Sequence, residues 1–209
     1  MQRESVLNCF EPIPNSITIF FFLTYNTIWY GIQKNKDMKT KKIPIPQTSL
    51  IYSYLPTGYS DSFECNFISS KDITPDEVQI AFWTTKPIWI EWLLSLRAIL
   101  VKPFGIKSDI SDYAKNLREC LIKGISHKYI SVPSKSNDET VTCNVDKHLT
   151  FYLSIIVRKG EGNKKSIIAT TLVNFHNYLG RCYFFIIYPF HTYLVRVMLR
   201  YLVKKLWLE

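Results

Sequence analysis

Glycine is scarce in this chain: there are seven in 209 residues, and none falls in a GxGxxG or GxxxxGK arrangement. Loops that cradle phosphates through backbone N–H groups need such glycines, so no nucleotide cofactor is expected. CxxC pairs are missing as well. The five cysteines, Cys9, Cys65, Cys120, Cys143 and Cys182, are odd in number and widely spaced. That pattern speaks against a disulfide framework or a zinc site and for reduced, mostly buried thiols of a cytosolic protein. HxxxH and HxH spacings do not occur, and no carboxylate cluster lies near His176 or His191, so no metal is expected.

Long apolar runs are also in short supply. A membrane-crossing helix needs about 20 predominantly apolar residues. The run from Ile17 to Ile32 is shorter and carries Thr18, Thr24, Asn26 and Thr27. Glu4 and Glu11 beside a single Arg3, with no small-residue cleavage pattern, do not make a secretory signal. Residues 1–37 read as upstream sequence joined to a gene that starts at Met38, with a weak N-terminal anchor as the alternative. Membrane contact then arises only if residues 17–32 insert. In that case the Lys34–Lys42 cluster holds the following chain on the cytoplasmic side, so the main domain is expected in the cytoplasm either way. Near the other end, 14 uncharged residues separate Arg181 from Arg196, and Pro189 and His191 interrupt them. This is too short for a second span.

Charge of one sign is not lacking, since the formal net charge is +9. The excess is scattered after residue 37 and accompanies no RNP-like, zinc-finger or helix-turn-helix pattern, so nucleic acid is not an expected partner. The sequence sets no oligomeric state.

What is present suffices for one core. Residues 38–58, with Pro44, Pro46, Pro56 and Gly58, read as an extended lead-in without an element of its own. Residues 59–209 read as a single domain. "SDSFECNF" alternates, with Phe63, Cys65 and Phe67 on one face and Ser62, Glu64 and Asn66 on the other, which predicts a half-buried strand. "DITPDEVQIAFW" predicts a helix from Pro75 to about Phe82, capped by Thr74 with Glu77 completing the box. A second helix is expected from Pro87, with Trp89 and Trp92 on its apolar side. "SDISDYAKNLRECLIKG" reads as a loop with some helical character or a short irregular strand. "HKYISV", a turn region at Pro133–Asp138, "ETVTCNV", "HLTFYLSIIVR" and "SIIATTLVNFHN" then form an antiparallel series, with "KGEGNK" as a hairpin turn. After Pro189, Thr192, Arg196, Arg200 and Lys204 recur every four positions opposite Phe190, Leu194, Val197, Met198 and Leu202. This predicts an amphipathic helix that Pro189 kinks or joins to a preceding piece. The class is α+β, with a curved sheet around a long C-terminal helix and a ligand cavity expected between them.

The segments "GYSDSFE", "ITPDEVQIAFWTTKPIWIEWLLSLRAILVKPFGIK", "VDKHLTFYLSI" and "VNFHNYLGRCYFFIIYPFHTYLVRVML" together resemble a bacterial family called domain of unknown function 2867. That family is similar to the helix-grip group, which includes START lipid-transfer domains and polyketide cyclases. The similarity covers about Tyr59 to Leu202, with Ser108 to Asn144 matching poorly. It implies a helix-grip fold and a hydrophobic small molecule or lipid as ligand.

Candidate chemistry rests on a few side chains. His148, His176 and His191 are candidate general bases if they face the cavity beside a carboxylate. Trp89, Trp92 and Tyr152 are candidates to line it. Asn177 and Arg181 are candidates to orient a polar head, or else a helix cap and an ion pair to Asp61 or Glu64. The leading expectation is a binding or carrier domain without catalysis. A cyclase, isomerase or hydrolase using those histidines is the alternative, and a structural or membrane-peripheral protein the third.

Overall fold

The computed structural model describes residues 40–85, 87, 90, 95, 111–123, 126–127 and 130–207. The segment read as upstream sequence or anchor lies outside them. So does most of the second expected helix, Trp89 and Trp92 included.

Among the described residues, six strands build one antiparallel sheet: β1 (Thr40–Lys42), β2 (Tyr59–Ile68), β3 (Ile130–Lys135), β4 (Glu139–Val145), β5 (Leu149–Lys159) and β6 (Lys164–Phe175). Their order is β1-β2-β6-β5-β4-β3, so β3 to β6 form a meander and β2 closes on the free side of β6. The turn between β5 and β6 needs one residue in the left-handed region, and Gly162, at φ 62°, supplies it. Pairing of β2 with β6 sets Phe63 opposite Ala169 and Asp61 opposite Thr171.

Among the described residues, the helices α1 (Pro75–Thr84), α2 (Ser111–Lys123) and α3 (Tyr178–Leu202) flank the sheet. The start of α1 is as its sequence demands. Thr74 accepts from the Glu77 amide, and the Glu77 side chain accepts in return from the Thr74 amide, a reciprocal cap worth about 1 kcal/mol. One face of the sheet carries the main core. There Phe63, Cys65 and Phe67 of β2, Leu153, Ile155 and Val157 of β5, and Ile167 and Ala169 of β6 meet Val195, Met198, Leu199 and Leu202 of α3.

Four expectations are corrected. The segment expected to be a loop with some helical character or a short irregular strand is a regular helix, α2. Leu117, Cys120 and Leu121 recur at helical spacing and bury against Ile130, and that tertiary contact outweighs an otherwise polar composition. The turn expected at Pro133–Asp138 begins later, because β3 runs on to Lys135. Pro133 is tolerated there since β3 is an edge strand whose register shifts between Ser131 and Ser134. The lead-in forms β1 and a 3-10 helix, Leu50–Tyr54. It covers the sheet face away from α3, where Ile51 packs with Val141 and Leu172. Glu139 fastens it by accepting from Ser49 Oγ (2.5 Å) and the Leu50 amide (2.7 Å).

Finally, α3 runs through Pro189 as one helix rather than as two joined pieces, and continues into a π-helical turn, Val203–Trp207. Proline withholds a donor only from the carbonyl four residues back. That residue is Phe185, 81 % exposed, where water can serve the carbonyl. By length and composition alone, Tyr178–Trp207 is long and apolar enough to cross a membrane, a test that the core helix of a soluble protein also passes.

Candidate functional site

Along β2 the residues that face α3 are those of odd number. Phe63, Cys65 and Phe67 are apolar, and the same parity carries Asp61 and Tyr59 under the first half of α3. The Asp61 side chain is fully shielded from solvent, and that of His191 is 16 % exposed. Tyr59 donates from its phenol to Asp61 Oδ2 at 2.5 Å, and His191 Nε2 lies 3.6 Å from the same oxygen. Rings enclose the pair: Phe184 stands 4.6 Å and Tyr188 5.5 Å from the Tyr59 ring centre, and Phe175 is 5.4 Å from Phe184. Burial, and then the bond to Asp61, pushes the Tyr59 phenol well above its ordinary pKa.

Burying a carboxylate in such surroundings is costly unless each oxygen is bonded. Asp61 Oδ1, His191 Nε2 and Thr171 Oγ1 are buried without hydrogen-bond partners among the described residues. So is Arg196 Nε, whose guanidinium lies 4.8 Å over the Phe63 ring. Four unsatisfied polar atoms therefore lie on β2, its neighbour β6 and the stretch of α3 from His191 to Arg196. Asp61 offers an acceptor, and the imidazole beside it can take or deliver a proton. Among the described residues, no group of three or more His, Cys, Asp or Glu side chains is placed to hold a metal ion.

Of the binding and catalytic candidates from the sequence that lie among the described residues, the fold brings only His191 to this cluster, beside Asp61, which was considered as an ion-pair partner. His148 and Asn177 form a separate junction at the start of α3, where Asn177 caps the helix by accepting from the Gly180 amide at 3.0 Å. His148 Nδ1 lies within hydrogen-bond reach of the Asn177 side-chain amide, 3.2 Å from its Nδ2 and 3.3 Å from its Oδ1. His176 is exposed and shares a 2.9 Å hydrogen bond with Thr150. Arg181 is exposed and lies 5.9 Å from the Tyr178 ring centre. The two acids considered for Arg181 have other neighbours, since Glu64 pairs with Lys41 at 2.9 Å and Asp61 faces Tyr59 and His191. Tyr152 lies on the opposite sheet face, stacked on Tyr54 at 4.7 Å.

Tyr59 and Asp61 were not among the sequence candidates for binding or chemistry. Their signal was available: extending the alternation of Phe63, Cys65 and Phe67 backwards by two and four residues places both on the buried face. A charged residue on a core-facing parity is the uncommon observation there.

A family model described as "Protein of unknown function (DUF2867)" matches residues 56–198, a span that contains Tyr59, Asp61, His191 and Arg196. No curated protein matches the chain.

Proposed function

The chain belongs to this family, Protein of unknown function (DUF2867), and we propose that it binds an apolar small molecule or lipid between the sheet and the first half of α3. Asp61 and His191 form the polar anchor, and Tyr59, Phe184 and Tyr188 form the apolar wall. One observation carries the reading: a carboxylate with no solvent exposure, ringed by aromatics, keeps an oxygen unpaired. Folding gains nothing from such a group, whereas a ligand with one hydroxyl or N–H donor on an apolar body would complete it. A sheet packed on a long C-terminal helix also supports placement in the helix-grip superfamily, whose members enclose ligands of that kind.

The neutral amine N-phenyl-1-naphthylamine, an apolar fluorophore with a single N–H donor, provides the test. Wild-type protein is expected to take it up saturably with one site, and Asp61→Ala to weaken uptake at least tenfold. Absence of saturable uptake, or equal uptake by the variant, would overturn the reading.

A second reading is favoured by the 3.6 Å approach of His191 to Asp61, the pairing a proton-abstracting enzyme uses. Mass spectrometry of small molecules extracted from wild-type and His191→Gln protein separates the two. An enzyme leaves different compounds on the two proteins, substrate on the variant and product on the wild type. A carrier leaves the same one.

A further inference from the structure

The first half of α3 hides one side and displays the other. Gly180, Tyr183 and Phe184 are buried, while Tyr178, Leu179, Phe185, Ile186, Tyr188 and Phe190 are exposed, Tyr178 and Phe185 both at 81 %. At 100° per residue, Tyr178, Phe185 and Pro189 fall along one line, with Ile186 and Tyr188 to either side. Scattered apolar side chains on a surface are ordinary, but six between positions 178 and 190 make a patch.

Charge indicates what such a patch faces. From Tyr178 to Trp207 the chain carries Arg181, Arg196, Arg200, Lys204 and Lys205 and no Asp or Glu. Arg181 is exposed within the patch, and Lys204 and Lys205 are exposed at the far end of the same helical segment. An anionic bilayer complements both features, offering apolar depth to Phe185 and Phe190 and phosphate charge to the cations. Tyr178 and Tyr188 suit the boundary, where a ring can sit in the apolar layer with its hydroxyl in the wet one. Less than a third of the most apolar window of this segment, 28 %, is buried against the protein.

We infer that the first half of α3 docks on an anionic membrane surface, lying in its plane with Phe185 and its neighbours in the headgroup–acyl boundary. The contact differs from the basic stripe expected in the sequence. Arg196 and Arg200 are only partly exposed, and the Arg196 guanidinium is committed to the Phe63 ring, so the docking side is the apolar half of the helix. Tyr188 borders both the patch and the ligand site, so the test is made at Phe185 and Phe190, which are not part of that wall.

Sedimentation of the full chain with vesicles tests it. Wild-type protein is expected to bind phosphatidylglycerol–phosphatidylcholine vesicles at least tenfold more tightly than pure phosphatidylcholine vesicles. Phe185→Asp combined with Phe190→Asp should lower the first affinity at least tenfold while the thermal midpoint stays the same, since both positions are exposed. Residues 1–37 are identical in the two proteins, so the difference belongs to α3. Binding unchanged by the double substitution, or no binding by the wild type, would overturn the inference. So would a wild-type dimer, seen by light scattering without vesicles, that the double substitution dissociates; the patch would then cover a second copy of the chain.

Discussion

Tyr59 and Asp61, two positions apart on one face of β2, are joined by a 2.5 Å hydrogen bond in which the phenol donates to the carboxylate. Because burial and this bond hold the phenol above its ordinary pKa of about 10, folded protein keeps the proton where unfolded protein loses it. The contribution to stability is complete below pH ~10 and declines as pH rises beyond it. Urea unfolding between pH ~9 and ~11.5 should therefore show a steeper loss for wild type than for Tyr59→Phe. Tyr152 and Tyr193 are also raised by burial but remain in both proteins, so they do not affect the comparison. Equal slopes would remove Tyr59 from this role.

Asp61→Asn retains an acceptor for Tyr59 and removes a buried charge. The thermal midpoint should be unchanged or higher, while uptake of the naphthylamine probe changes, which is the trade expected where a polar group serves a site rather than the fold. A midpoint lowered by several degrees would assign Asp61 to stability instead.

Gln79 of α1 is fully buried and donates from Nε2 to the carbonyls of Thr140 (3.1 Å) and Leu153 (2.9 Å), tying the helix to β4 and β5. Gln79→Leu leaves the Thr140 carbonyl without this donor. The cost should be about 1–3 kcal/mol, read as a lower urea midpoint with unchanged slope.

Gly180 sits against the start of β5. A Cβ there would stand 2.2 Å from the His148 carbonyl oxygen, which is held in place by the His176 amide at 2.9 Å. Gly180→Ala should destabilise by about 1–3 kcal/mol despite alanine's better helix propensity. A stabilised variant in thermal melts would show that α3 can lift away from β5 at low cost.

Periodic segments were legible before the fold was seen. Strand β4 coincides with "ETVTCNV", α1 starts at the capping box, and the hairpin turns at its glycine, because each signal is local. α2 was not legible because its helix depends on Ile130, Ile80 and Trp83, which contact it from other elements. Pro133 looked like a turn because sequence does not say which strand forms an edge. Of the candidate residues, His191 was visible as a titratable group near a helix break. Asp61, by contrast, appeared as a possible ion-pair partner for Arg181, and its burial depends on where α3 crosses β2.

The sequence by itself determined the α+β class, the antiparallel hairpins, the capped helix and the apolar stripe of the C-terminal helix. Hydrophobic period, turn chemistry and capping act over a few residues and leave their mark in order along the chain. Only the tertiary structure decided that β2 pairs with β6, that the lead-in covers the second face, and that residues 59, 61 and 191 meet. Contacts between positions more than a hundred residues apart depend on which apolar faces pack together, and that packing buries Asp61 against Tyr59 and His191.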